Sequence, residues 1–259
     1  MMGAIAGDII GSAFEAPDQL IKSKQFELFT DKSHFTDDTV LTVAVADSLL
    51  SNVPYGPAIH RYINAYQDAG FSKGMLEWGA RPKPVLRDSA GNGSAMRVSA
   101  IGWWFDSMKE VIKQAHQSAV PTHAHEDAVK GAQCVAASVL LARMGKGKKM
   151  IRDFVQKEFR YDLSKTLFDI RPDYEPRMAC VESVPQAMIA FLESRDFEDA
   201  VRNAVSLGGR SDTLACMAGA CMAAISVSKT MWWLLAKALS MAGANGYDSC
   251  LRTWRERKR

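Results

Sequence analysis

Phe35-Thr36-Asp37-Asp38-Thr39 sets two adjacent carboxylates between two hydroxyls, immediately before an apolar run. Thr and Asp are good helix caps, and acidic side chains favour the positive end of a helix dipole, so a helix start is the first reading. One Asp is enough for that. Two neighbouring carboxylates repel unless a cation lies between them, and hard divalent cations take carboxylate and hydroxyl oxygens. A second cluster, Gly208-Gly209-Arg210-Ser211-Asp212-Thr213, repeats the Asp-Thr pairing before another apolar run. Two such clusters facing each other would make a metal centre.

Gly91-Asn92-Gly93-Ser94-Ala95-Met96-Arg97 combines glycines and a serine at a helix start. Such a segment is first a turn, and secondly a place where backbone N–H groups meet a phosphate or sugar. Gly3, Gly7 and Gly11 are spaced by four, which lets one helix lie close against another. No strand precedes them, so they are not a dinucleotide fingerprint. Glu15 follows at the end of that segment, where a solvated carboxylate is the plain reading. His123 and His125 stand beside Glu126 and Asp127, but no third well-spaced ligand accompanies them, so zinc is not expected.

The elements that must position these residues read as helices almost throughout. Apolar stripes of 3.6-residue period run over Val40–Leu50, Val111–Ala119 and Ala128–Ala142, the last closed by Gly145. Ser183 and Pro185 suggest an N-cap and first-turn proline for a helix over Val184–Leu192. Phe197–Val205 continues to a stop at Gly208-Gly209, and Trp232–Ala242 is a further candidate. Alternating strands are absent. Turn chemistry collects in 17–35, 81–93 and 161–180. No linker divides the chain, so the expectation is a single all-α domain over 1–259, its function carried on loops between helices.

Composition narrows the classes. Hydrophobic residues make up 47% and charged residues 24%, which excludes a largely disordered chain. The net charge is +3, and Arg252, Arg255, Arg257, Lys258 and Arg259 at the C-terminal end account for it. The remaining body is near neutral, so no broad nucleic-acid surface is expected. Five cysteines without a CxxC pair read as reduced core thiols, and the apolar N-terminal segment carries Asp8 and no basic residue, unlike a signal peptide. The longest weakly polar run, Leu214–Val227, is shorter than a membrane span needs. A cytoplasmic, membrane-free monomer is the expectation.

Taken together, GAIAGDIIGSAFE, FTDDT, GNGSAMR, the Thr122-His123 segment and LGGRSDT resemble the ordered blocks of the ADP-ribosylglycohydrolase family. The resemblance spans 3–223, with 226–259 as divergent C-terminal helices. It implies a compact orthogonal all-α bundle with a binuclear Mg²⁺ or Mn²⁺ site. Thr36, Asp37, Asp38, Asp212 and Thr213 would be ligands, and Glu15, Asp37 and Asp38 would carry the catalysis, Glu15 as a gate or acid/base group. Ser89, Gly91, Asn92, Gly93 and Ser94 would line the ribose-pyrophosphate path, with His123 at its distal end. The implied reaction is hydrolysis of an N- or O-glycosidic bond that releases ADP-ribose from a modified protein or small molecule. One departure stands out: where the family usually has Gly-Gly-Asp-x-Asp-Thr, this chain has Arg210. A guanidinium about 4 Å from a cation would meet roughly 4 kcal/mol of repulsion per unit charge at an effective dielectric of 20. Three outcomes follow: Arg210 replaces the second cation and binds a ribose oxygen or phosphate, the site works with one cation, or the chain is a catalytically impaired binder of ADP-ribose or a nucleotide. Hydrolysis of another small nucleotide-like compound is a further alternative.

Overall fold

A computed structural model describes residues 1–225. The first helices in chain order are Met2–Ser12 (α1), Asp37–Ser51 (α2), Tyr55–Ala65 (α3), Lys73–Gly79 (α4), Gly93–Met96 (α5) and Ser99–Trp104 (α6). Met108–Ala119 (α7), Glu126–Arg143 (α8), Lys148–Phe159 (α9), Leu167–Ile170 (α10), Cys180–Glu193 (α11), Phe197–Val205 (α12) and Ser211–Ile225 (α13) follow. Among the described residues there is no strand, only an isolated bridge between Gly91 and Ala179. The Trp232–Ala242 helix expectation, Cys250 and the basic end lie outside the described residues. No described helix is long and apolar enough to cross a membrane.

Helices α1 and α13 are buried on nearly every side and form the centre of the bundle. Their pairing comes from the glycine spacing. A Cβ at Gly3, Gly7 or Gly11 would run into the α13 backbone, at Gly219, Ala215 and Ser211 respectively. Backbones pack this closely only where side chains are missing, so the packing reading of these glycines holds. Around the pair stand amphipathic helices with one buried stripe. In α7 the stripe is Val111, Ala115, Ser118 and Ala119; in α9 it is Ile151, Val155 and Phe159.

Local signals set the helix ends. Asp196 caps α12 by accepting from Asp199 N (2.9 Å), and Thr166 with Asp169 makes a reciprocal capping box on α10. The expected stop at Gly145 is a Schellman turn: Gly145 N donates to Ala142 O and Lys146 N to Leu141 O, with Gly145 at φ 74°. His125 Nδ1 accepts from Asp127 N and caps α8. One boundary differs from expectation. Helix α11 begins at Cys180, with Ala179 as its cap, so Pro185 lies inside the helix rather than in its first turn. Ser183 accordingly turns its hydroxyl back onto Ala179 O (2.9 Å) instead of capping. The antiparallel bridge at Gly91–Ala179 and the Cys180 N to Ala90 O bond start the helix early.

Gly7→Ala is expected to destabilise the fold by about 3 kcal/mol, the upper range for overpacking a close seam. Gly145→Asn, at a left-handed position with open space around it, should change stability little. Denaturant unfolding of both variants checks this, and equal costs would contradict the seam.

Candidate active site at the start of α2 and α13

Three elements bring the acids together. Asp8 sits within α1, fully buried, and reaches the first turn of α2. Its carboxylate accepts from Thr36 N (3.0 Å), Thr39 N (3.0 Å), Thr36 Oγ1 (2.7 Å) and Thr39 Oγ1. Thr36 is the cap of α2, accepting from Asp38 N at 3.2 Å. Asp38 Oδ2 takes the hydroxyl of Thr213 at 3.2 Å, and Asp212 Oδ1 takes Thr213 N at 2.7 Å. Oxygens of Asp8, Asp38 and Asp212 all lie within 4.8 Å of one another. Asp38 Oδ1 is buried with no hydrogen-bond partner among the described residues. An orphaned carboxylate oxygen inside a ring of acids fits a cation, and the donor set is all hard oxygen, which suits Mg²⁺ or Mn²⁺.

The electrostatics point the same way. Burial first, then Asp212 and the neighbouring acids, push Asp38 and Asp37 well above the carboxylate range. Asp8 rises to about 6 by burial and Asp212, against its hydrogen bonds from Thr39 and Thr36. Glu15 rises to about 9, by burial and by a carboxyl–carboxylate hydrogen bond with Asp212. Five carboxylates face the one guanidinium of Arg210, so protons or cations must supply the remaining charge.

Arg210 ion-pairs with Glu15 through Nη1. Burial works against its charge, but Asp212, Glu15, Asp38 and Asp37 outweigh that and raise its pKa. The backbone that delivers it is unusual. Gly208, Gly209 and Arg210 all have positive φ (74°, 157° and 47°), and Arg210 O accepts from Leu214 N as the cap of α13. A non-glycine residue held there costs about 1 kcal/mol or more. Lys22 Nζ, bonded to Leu207 O and Tyr174 O (both 2.6 Å), fixes the loop from one side, and Pro176 closes it from the other.

A cleft of about 380 Å³ opens beside the acids, with Asp37 and Arg210 on its wall. Ser89, Gly91, Asn92, Gly93 and His123 line it as well. The loop is held in place by Asn92 N to Met178 O (2.7 Å) and Gly91 N to Ser89 Oγ (3.2 Å). Asn92 Nδ2 is buried without a partner among the described residues, a donor left for a ligand. Ser94 is a correction: its side chain does not line the cleft. It is fully buried and donates to Ala128 O (2.8 Å), because one residue further along α5 turns it toward α8. Two further cations on the cleft wall, Lys73 and Arg87, escaped the sequence reading. So did Asp8, whose signal was a lone carboxylate in an apolar helix.

A family model described as ADP-ribosylglycohydrolase matches residues 1–226. The chain belongs to the ADP-ribosylglycohydrolase family. It is 27% identical to human ADP-ribosylhydrolase ARH3, covering 85% of this chain and 82% of the human protein. It is 25% identical to an uncharacterised protein of Archaeoglobus fulgidus over 77% of this chain and 74% of the relative. A solved structure described as an ADP-ribosylglycohydrolase-related protein complex superposes with TM-score 0.69 at 21% identity, covering 93% of this chain and 95% of its own. That likeness shows the all-α fold.

Carboxylates with raised folded-state pKa give the folded chain extra protons. Their stabilising contribution is full below the ordinary carboxylate range and is lost as pH rises, through about 6 for Asp8 and about 9 for Glu15. His123, held neutral by burial, has the opposite sign, so the cation-induced shift is the cleaner measurement. A Mg²⁺ bound among these carboxylates would displace those protons. The rise in Tm on adding saturating Mg²⁺ is therefore expected to be larger at pH 8 than at pH 6. A Mg²⁺ shift that is absent, or that shrinks with pH, would remove the cation from this site.

Proposed function

We propose that the chain is a metal-dependent hydrolase that cleaves the glycosidic bond of an ADP-ribosylated protein or small molecule and releases ADP-ribose. The observation that carries this reading is the division of one cleft into two chemistries. Acids collect at the starts of α2 and α13, and Lys73, Arg87 and His123 stand on the remaining wall. ADP-ribose has matching parts: the diol of its distal ribose, which binds beside a carboxylate-held cation, and the adjoining diphosphate, which binds cations and N–H donors.

Asp38 and Asp212 would hold a Mg²⁺ or Mn²⁺, with Asp37 and the hydroxyls of Thr36 and Thr213 as further oxygens. Thr36 Oγ1 already donates to Asp8 and Thr213 Oγ1 to Asp38, so each hydroxyl offers a lone pair toward a cation. When bound, the cation supplies Lewis-acid charge that holds the ribose hydroxyls and lowers the pKa of a water. Burial and Asp212 push Glu15 up to about 9, against the pull of Arg210, which suits its carboxyl to hold a proton beside Asp212. Its carboxyl would give that proton to the departing nitrogen or oxygen as the bond from that atom to the anomeric carbon breaks, the oxygen of water would bond to the same carbon, and the Asp37 carboxylate would take the proton the water loses. Asn92 Nδ2 and the backbone of Gly91 and Gly93 would guide the ribose-diphosphate.

The Arg210–Glu15 ion pair favours a second reading, an ADP-ribose binder with impaired turnover. In it the guanidinium holds Glu15 away from the leaving group. Release of ADP-ribose from an ADP-ribosylated peptide decides between them: binding of ADP-ribose without any turnover selects the binder. Asp37→Ala is expected to weaken Mn²⁺ binding and to lower turnover at least about 100-fold, the lower range for a catalytic acid/base group. Unchanged Mn²⁺ binding would take Asp37 out of the site. Arg210→Asp is expected to raise Mn²⁺ stoichiometry by calorimetry from one toward two. Two cations bound by the unaltered chain would show that Arg210 replaces neither.

A further inference from the structure

Arg97, at the end of α5, is fully buried, yet no carboxylate pairs with it among the described residues. Its Nε and Nη1 have no hydrogen-bond partner there, and Nη2 donates to Ser118 O and to Thr122 Oγ1 (2.9 Å). Burying an unpaired cation is costly, so its placement calls for a reason. Burial lowers its pKa only to about 9, and at neutral pH it remains a charged donor with no acceptor capacity.

Among the described residues the Thr122 hydroxyl has two side-chain partners, the Arg97 donor and His123 Nδ1. Thr122 Oγ1 accepts from Arg97, which leaves its own proton to give. His123 Nδ1, 2.7 Å away, is the acceptor in reach. With Nδ1 accepting, the ring proton sits on Nε2. The Nε2–Cε1 edge lies against Gly93, where a Cβ would be 3.0 Å from either atom, and the ring stands on the wall of the cleft. Burial first, and then Arg97 and Arg87, disfavour a charged imidazole.

We propose that Arg97 and Thr122 are positioning residues that hold His123 as a neutral, Nε2-protonated donor facing an oxygen of a bound diphosphate. The ligand part rests on the functional reading above, and the tautomer part does not. The wall at this point is built from Gly91 and Gly93, which have no side chains to cover the Nε2 edge where it meets the cleft. A neutral N–H donor there selects an oxygen acceptor and keeps that preference across the physiological range, unlike an ordinary histidine.

The test is ¹⁵N NMR of the full chain labelled at histidine, with the His123 signals assigned by their loss in His123→Gln. The expected result is an Nε2-protonated His123 in the unaltered chain, retained in Thr122→Ser and converted to mixed tautomers in Thr122→Val. ADP-ribose affinity by calorimetry should fall about tenfold in Thr122→Val and hold in Thr122→Ser, while Mn²⁺ affinity stays the same in both. Nδ1-protonated His123 in the unaltered chain overturns the proposal even if Thr122→Val fails to fold. So does an unchanged tautomer and affinity in a folded Thr122→Val. If the unaltered chain does not bind ADP-ribose, the functional reading falls, and the tautomer alone decides the role of Arg97 and Thr122.

Discussion

The Asp8 carboxylate holds the site together. It is buried in an apolar helix and accepts four hydrogen bonds from Thr36 and Thr39 at the start of α2. A buried carboxylate is tolerated when donors surround it, and here all the donors come from one helix turn. Asp8 therefore fixes α2 to α1. The glycine seam fixes α13 to α1 on the other side. Asp38 and Asp212, at the starts of α2 and α13, are then held face to face, although their helices start far apart in the chain.

This arrangement gathers negative charge without neutralising it. Two helix N-termini point at the cluster, and each macrodipole end favours anions by a few tenths to about 1 kcal/mol. That offsets only part of the mutual repulsion among Asp8, Glu15, Asp37, Asp38 and Asp212. The rest shows as raised pKa values, and as the orphaned Asp38 Oδ1. A site that is strained toward protonation and short of one hydrogen-bond partner is prepared for a cation. The opposite holds for the cleft wall beside it, where Lys73, Arg87 and the neutral His123 provide donors.

What could be read from the sequence was local. Thr36-Asp37-Asp38 and Ser211-Asp212-Thr213 each announce a helix start, and the 3.6-residue stripes announce the helices behind them. The Gly145 stop and the close-packing glycines were legible for the same reason: backbone geometry dictates those residue types. Asp8 was not, because its role depends on donors across a tertiary contact. Ser94 and Gly93 look equivalent in sequence, yet one helix step sends the serine to Ala128 and leaves the glycine under His123. Pro185 marked a first turn by its usual preference, but the bridge between Gly91 and Ala179 began α11 earlier. Lys73 and Arg87 sit in segments without a periodic pattern, and only the folded cleft puts them beside His123.

Arg210 joins the local and the long-range. The two glycines before it shape a turn of positive φ, and the Asp-Thr pair after it opens α13. The left-handed φ of Arg210 and its capping carbonyl show the residue held in that turn rather than swung clear of it. Its guanidinium then reaches Glu15 and sits within the field of Asp37, Asp38 and Asp212. An Asp at this position with two dications, and an Arg with one, leave the same formal charge balance among these carboxylates. The exchange removes one negative charge, adds one positive charge, and so makes the second dication unnecessary for neutralisation. On that accounting Arg210 is compatible with the site, and what it changes is geometry. A guanidinium offers donors in a fixed plane, where a cation offers open coordination positions. An oxygen can meet Arg210 only by accepting a hydrogen bond, so its effect here falls on the freedom of Glu15 rather than on the charge balance of the acidic cluster.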